Sequence, residues 1–593
     1  MNQDDVAKAL LGMAEALRTQ DPPKIKMAIK CARSTLKIET SEEMTALCNY
    51  QFGKLLYFYT DNYELSKTHL QVAYEKLSAM GTFYAKEKMQ AVSMIADLHI
   101  HYQCWPFVNI KNALRHEISL ATRVSSTLAF KLMFQLIELL KIDKDATGAF
   151  EICDTAINLC HGNPKMELYF RISKSLVTYQ LLHSDPDSDD VGRIGAMIKA
   201  LELDPSEKAH VDCIKDFFVC TKLSHMFYEG KSRTSRQLLR QIQKTQTTGE
   251  TKITGIRWLG ETSMTVFACV MNIVGALVQS NSDRVEKYYY LAMKHADEIL
   301  FKSTRTPQEP GVVRCINMIK MTTLEMMACC NVMACRPART LINVKDMVEM
   351  SHRSSGTLLY RYFAPHIQYI LGLQSCYLKQ HDAAEKHFQA AIRMFENKNS
   401  NSENTLALLH LNLAMTYLNQ LKMAEYYEAS ENLVATKITN CSQMLKNNVK
   451  LLSAFFSYLN LKPSECRTLV HEVLHDSKAE DFFRLHGLAL LLMSLILNVD
   501  EQGVKPTIDW SKKSHDHLVS LWSHNLYEGL IRKAGHKEDS PVLRQAIEEQ
   551  MSSKKALSLE EQLPQIANLP AARLLQWFEG DPFKLLPRDE TAL

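Results

Sequence analysis

The segment YILGLQSCYLKQHDAAEKHFQAA, residues 369–391, decides the fold. Leu371 and Gly372 are followed by Ala384, Phe388 and Ala391, at steps of twelve, four and three. The four and three steps place the last three residues on one face of a helix, and the twelve carries the chain through a turn into an antiparallel partner. The segment therefore reads as a helical hairpin. Gly372 lets the two helices approach closely, and Leu371 and Phe388 fill the space around the crossing.

The same spacing recurs at Leu136, Ile137, Ala149, Cys153 and Ala156, and again at Ser453, Ala454, Cys466, Val470 and Val473. A fourth copy, Phe52, Gly53, Ser66, Leu70 and Ala73, has one extra residue in its turn. Recurrence along a chain of 593 residues points to a repeat array rather than several globular cores. The period reads as that of tetratricopeptide repeats, so the fold class expected is all-α, a superhelix of helical hairpins (an α-solenoid). One hairpin cannot bury its apolar face alone, whereas a stack can, and its inner wall offers a groove for an extended peptide.

Composition agrees. With 20 Gly, 17 Pro and 46% hydrophobic residues, there is little room for turn-rich β architecture. Lys and Arg number 69 against 66 Asp and Glu, so no overall basic excess marks nucleic-acid binding as the main activity. Fifteen cysteines are scattered, with pairs such as Cys153 and Cys160 or Cys213 and Cys220 seven apart on helix faces, which reads as buried thiols in a reducing compartment. Met1–Lys8 lacks a signal-peptide core, and the apolar run Leu488–Leu497 is too short to span a bilayer. A cytosolic or nuclear protein is expected.

Four stretches divide the chain: an N-terminal hairpin array over 1–183, divergent middle hairpins with polar loops over 184–310, a C-terminal array over 311–535, and a capping helix with an irregular tail over 536–593. The opening helix, Val6 to Thr19, carries Leu10, Leu11, Ala14 and Leu17, and Asp21-Pro22-Pro23 reads as the cap and start of the next. Ser184–Asp190 is expected to be an exposed acidic loop. Connectors are expected at 244–250, 306–311, 397–404 and 504–507.

His471-Glu472-Val473-Leu474-His475 is a literal HExxH, in which two imidazoles one turn apart hold zinc beside a general base. It falls on the packing helix of a repeat, at Val470 and Val473, and no third ligand motif follows, so a solvated face is the plainer reading. Lys231, Arg233, Arg236, Arg240 and Lys244 form a basic stripe, again read as a solvated face. No catalytic, metal or cofactor site is expected. The groove is the better candidate: residues beside each packing pair on the first helix point inward, which selects Tyr50, Lys54, Tyr57, Phe58, Phe134, Tyr369, Leu373 and Tyr377. Rings there also serve as filler between repeats.

Specific strings add to this reading. Leu10-Leu11-Gly12-Met13-Ala14-Glu15 with Arg18-Thr19 and Pro22-Pro23-Lys24-Ile25 resembles the opening of the chromatid cohesion factor family, the tetratricopeptide subunit of the cohesin loader. Leu55-Leu56-Tyr57, Ala479-Glu480-Asp481 with Arg484-Leu485, Leu521-Trp522-Ser523 with Leu526, and the tail at Trp577 and Gly580 are similar to that family too. The resemblance implies a non-enzymatic subunit that wraps the extended N-terminal segment of a large HEAT-repeat partner of the Nipped-B type, as a heterodimer. It further implies cohesin and chromatin reached through that partner, sister-chromatid cohesion and chromosome segregation in the nucleus, and axon and cell migration during animal development. No membrane and no small-molecule substrate are expected. Two other readings stand beside it: a tetratricopeptide adaptor of a chaperone or degradation complex, for which no Lys/Asn/Arg carboxylate clamp can be assembled, and a zinc hydrolase through His471 and His475.

Overall fold

The computed structural model describes residues 3–60, 62–102, 110–160, 162–203, 208–244, 261–305, 310–353, 357–396, 403–497, 499–514, 516–534, 540–556, 558 and 564–575. Among them the regular structure is helical, without strands. The chain forms two compact units: Met1–Phe218, Gly249–Glu261 and Leu300–Cys315 in one, Val219–Thr248, Thr262–Ile299 and Ile316–Leu593 in the other.

In the first unit the hairpins run Gln3–Thr19 with Ile25–Thr35, Glu42–Tyr59 with Tyr63–Ala79, Ala85–Tyr102 with Ile110–Val124, and Ser126–Ile142 with Ala146–Leu159. The packing frame read from sequence is the frame of the core. Leu136, Ile137, Ala149, Cys153 and Ala156 are all buried, as are Phe52, Ser66, Leu70 and Ala73. A Cβ on Gly53 would lie 2.8 Å from Leu70 Cγ and 3.1 Å from the Leu70 backbone nitrogen, so any larger residue there would push the two helices apart or displace Leu70. The Ser66 hydroxyl donates to the Gly53 carbonyl at 2.8 Å and fastens the two helices there.

In the second unit the hairpin that carries the opening segment is Thr357–Tyr377 with His381–Glu396. Leu371, Ala384, Phe388 and Ala391 are fully buried, and a Cβ on Gly372 would lie 2.6 Å from the Phe388 ring. Gln443–Leu459 with Pro463–Ala479 repeats the arrangement: Ala454, Cys466, Val470 and Val473 are buried, with Ser453 half-buried.

The turns are as regular as the crossings. Seven residues after the second member of the pair the chain takes a left-handed residue: Lys144 (φ 59°), Lys379 (φ 59°) and Leu461 (φ 59°). The next amide closes back on the first helix, Asp145 N to Leu140 O at 2.9 Å, Gln380 N to Ser375 O at 2.9 Å and Lys462 N to Ser457 O at 2.9 Å. This six-to-one bond is a Schellman termination. It also exposes three copies that the small-residue pattern did not reveal, two in the middle of the chain and one early in the C-terminal stretch. Gly230 (φ 79°), Ser280 (φ 55°) and Cys335 (φ 57°) hold the same turn position. Counting back and forward gives Leu223 with Ser235, Leu239 and Ile242, then Ile273 with Val285, Tyr289 and Ala292, then Ala328 with Thr340, Val344 and Met347, all buried except the half-buried Tyr289. Within a hairpin the spacing is tetratricopeptide-like, but equivalent residues of neighbouring first helices in contact, such as Tyr57 and Asp97, lie 40 residues apart. That step exceeds the roughly 34 of a tetratricopeptide repeat, because the helices here run 17 or 18 residues.

Several boundaries differ from the sequence reading. The second helix begins at Ile25 with Lys24, not Asp21, at its cap position. Only Ser184–Asp187 of the acidic stretch lies outside a helix; Ser188–Glu202 starts there because the Asp187 carboxylate accepts the Asp189 amide at 3.3 Å and Asp189 and Asp190 face the positive helix end. The connector placed at 504–507 is helical, within Glu501–Ser514, despite Pro506. Val504 and Thr507 are fully buried, and that burial offsets the one backbone bond lost to the proline. Pro310 is the first residue of a helix, Pro310–Met333, while 306–309, most of 244–250 and 397–402 lie outside the described residues. The C-terminal helix is Pro541–Ala556. Beyond it, in the stretch read from sequence as an irregular tail, Ile566, Leu574 and Leu575 share a core with Met321, Leu324, Phe363 and Ile367. Residues 577–582 lie outside the described residues.

Candidate partner-binding surface

The first helices of successive hairpins touch along one face, so any inward surface is assembled from them. In the first unit a polar relay crosses three such helices. The Tyr57 hydroxyl donates to Asp97 at 3.0 Å, and the Gln135 amide donates to the other Asp97 oxygen at 2.7 Å and to the Ser93 carbonyl at 2.9 Å. The Arg314 guanidinium lies over the Tyr57 ring at 5.5 Å and donates to its oxygen at 3.4 Å. Burial, with Asp97 alongside, pushes the Tyr57 phenol well above its ordinary range, so it stays a neutral donor.

Tyr50 and Tyr57 are therefore buried and bonded within the chain, Tyr50 to Gln90 of the next first helix. The Lys54 ammonium lies 5.7 Å from the Tyr50 ring centre. Phe134 stacks on Phe170 at 4.1 Å. In the second unit Tyr369 packs between two core clusters, Leu373 borders one of them, and Tyr377 is half-buried. Of the eight predicted residues, Phe58 is the large apolar one that stays open, at 38% exposure.

A register explains the division. Residues three before the second pair member (Tyr50, Phe134, Tyr369) fill space between hairpins, while those one and five after it are half-buried or exposed and form the more outward register. That outward register holds Lys54 and Phe58, then Leu373 and Tyr377. It also holds Met415, 40% exposed, and Leu459, 47% exposed, which the sequence reading did not name. Their signal was present in the same spacing, counted from Ala414 and Ala454.

Other candidates resolve differently. His471 and His475 face solvent from Pro463–Ala479, and Glu472 is held by Lys450 at 2.7 Å. In the basic stripe, Lys231 pairs with Glu229 at 2.5 Å, the Arg233 amide donates to Glu480 at 3.0 Å, and Arg236 pairs with Asp481 at 2.7 Å. The last two acids belong to Ala479-Glu480-Asp481, a string that drew notice in the sequence only through its resemblance. They stand at the N-terminus of Ser232–Lys244, where a carboxylate is favoured. Arg484 completes the seam, pairing with the buried Asp516 at 2.9 Å. Buried thiols are pushed up by burial, Cys153 to about 12 and Cys330 to about 11, which leaves them protonated and unreactive at neutral pH.

Comparison with known proteins points the same way. A family model described as cohesin loading factor matches residues 6–538. The chain is 69% identical to Maternal uncoordinated protein 2 of Caenorhabditis elegans over 594 residues, covering 100% of both chains. It is 22% identical to the MAU2 chromatid cohesion factor homolog of Nematostella vectensis, over 94% of this chain and 93% of that one. Among solved structures, Scc4 in complex with Scc2n and Ctf19n superposes with a TM-score of 0.53 at 10% identity, over 94% of this chain and 98% of that one, a likeness of fold.

Proposed function

This chain belongs to the cohesin loading factor family, and we propose that it is the non-catalytic scaffold subunit of a cohesin loader, holding the extended N-terminal segment of a large HEAT-repeat partner of the Nipped-B type. The similar Scc4 structure was solved with Scc2n, which supports this partner. The observation that carries the reading is the outward register: Lys54 and Phe58 in the first unit, and Leu373, Tyr377, Met415 and Leu459 in the second, hold equivalent positions on first helices. An extended segment meets such a register one side chain at a time. Ordering a disordered segment costs free energy per residue, so affinity requires many such contacts rather than one pocket.

On this reading the protein acts in the nucleus, promoting cohesin loading onto chromatin for sister-chromatid cohesion, with a role in cell and axon migration. Co-purification tests it. Phe58→Asp with Leu459→Asp should reduce capture of the partner's N-terminal segment by at least about tenfold, each exposed apolar anchor contributing about 1 kcal/mol or more. Unchanged capture by the double variant, with the helical circular dichroism intact, would overturn the proposal.

A further inference from the structure

The helix Ile25–Thr35 breaks a local rule. Its exposed side carries Lys26, Lys30 and Arg33, the line continues to Lys37 just past its end, and Lys24 sits exposed at its start. From Lys26 onward these are steps of four, three and four, which align the cations on one face. Between Asp21 and Glu39 the sequence holds no acidic residue. Among the described residues none of the five cations enters an ion pair, whereas in the stripe at 231–240 Lys231 pairs with Glu229 and Arg236 with Asp481. The opposite face of the same helix is conventional, with Ala28, Ala32 and Thr35 buried.

Such a face is unfavourable for the folded chain by itself. Like charges one turn apart repel, and Lys26 in the first turn opposes the positive end of the helix dipole. A sequence that keeps an uncompensated local conflict is commonly keeping a binding function. At the helical rise the cations span roughly 20 Å from Lys24 to Lys37, a straight, rigid row. We propose that this face binds the phosphate backbone of double-stranded DNA, without base specificity.

The chemistry favours a duplex over other polyanions. No aromatic side chain lies between residues 24 and 37 to stack a base, as single-strand binding would require. Met27 is the one large exposed apolar residue on the helix, too little to anchor in a membrane interface. A row of cations with so little apolar surface suits a charged rod better than an acidic peptide, which needs apolar anchors as well. The proposal is independent of the partner-holding register, which lies on first helices.

The test is fluorescence anisotropy of a labelled random-sequence duplex with the full-length chain, titrated with salt. Wild-type protein should bind with a log–log salt slope of roughly −0.9 per phosphate engaged, and K26E/K30E/R33E should bind at least about tenfold more weakly with a slope shallower by about 3. K231Q/R236Q should leave duplex binding within about twofold, because both cations are already drawn into pairs. Should the reversal lower the melting temperature, K26Q/K30Q/R33Q must reproduce the loss. Equal duplex binding by the variants, no duplex binding by wild type, or preference for a poly-glutamate peptide or phosphatidylserine vesicles over the duplex would each overturn the proposal. Capture of the partner segment should be unchanged in every variant, which separates this result from a failure of the scaffold reading.

Discussion

The hairpin Thr357–Tyr377 with His381–Glu396 and the hairpins of the middle of the chain are built on one frame with different residues. In the first, Gly372 gives way to Phe388 and the close approach lies within the hairpin. In the middle, Leu223, Ser235 and Leu239 hold the equivalent buried positions, and the glycine serves elsewhere: a Cβ on Gly275 would lie 2.9 Å from Leu239 and 3.2 Å from Phe227 of the preceding hairpin. Both regions end their first helix with the same left-handed turn. What repeats is the geometry of the backbone, and glycine marks only those crossings where a ring or a branched chain presses in.

The comparison breaks most readily at the large buried side chains. Phe388→Ala should cost about 3–5 kcal/mol, and Leu239→Ala about 2–5 kcal/mol if the middle hairpin is a true equivalent. Native-state hydrogen exchange over each hairpin reads both, and a loss below about 1 kcal/mol at Leu239 would mean the middle helices pack on another frame. Acid separates the regions next. His387 and His486 are buried in the later hairpins, and burial holds each imidazole down at about 4 against an ordinary 6.5. The unfolded chain then binds more protons than the folded one, so the stability present above pH 6.5 falls as pH drops from 6.5 toward 4. The expected loss is about 2–3 kcal/mol per histidine, and His387→Gln should remove its share, read as the difference in urea midpoint between pH 7 and pH 5.

Gly372→Ala sharpens the contrast on a smaller scale. Its new methyl meets Phe388, so a loss of about 1–3 kcal/mol is expected, whereas Gly12→Ala, with nothing within 4 Å of the new atom, should gain about 0.5–1 kcal/mol. A gain at Gly372 would show that the crossing relaxes freely. The smallest effect belongs to the turns. Leu461 is 88% exposed at φ 59°, where glycine is unstrained, so Leu461→Gly should stabilise by about 1 kcal/mol. Thermal melting detects this, and no change would mean the left-handed turn is strain-free for leucine.

The copies at Gly53, Ile137, Gly372 and Ala454 were legible because small residues stood at their crossings. Those at Leu223, Ile273 and Ala328 were hidden because Leu, Ser, Thr and Val occupy the same register, and a residue pattern cannot show that a lysine, a serine and a cysteine share one left-handed conformation. At the candidate surface, Phe58 and Leu373 were named from their place beside the packing pair. Which rings reach outward was not readable, since Tyr50, Tyr57 and Phe58 are alike in type and differ only in what the next helix places beside them.

By itself the sequence determined that this chain contains a series of helical hairpins, because 3.6-residue periodicity and small-residue crossings are local and survive in one dimension, and its strings carried the resemblance to the cohesin loading factor family. Tertiary structure alone decided which charges are neutralised. Arg236 and Asp481 stand 245 residues apart and pair with each other, and Leu574 joins the core around Phe363 from the far end of the chain. Electrostatic pairing and burial depend on distance in space, and no spacing along the chain encodes a contact between residues hundreds of positions apart.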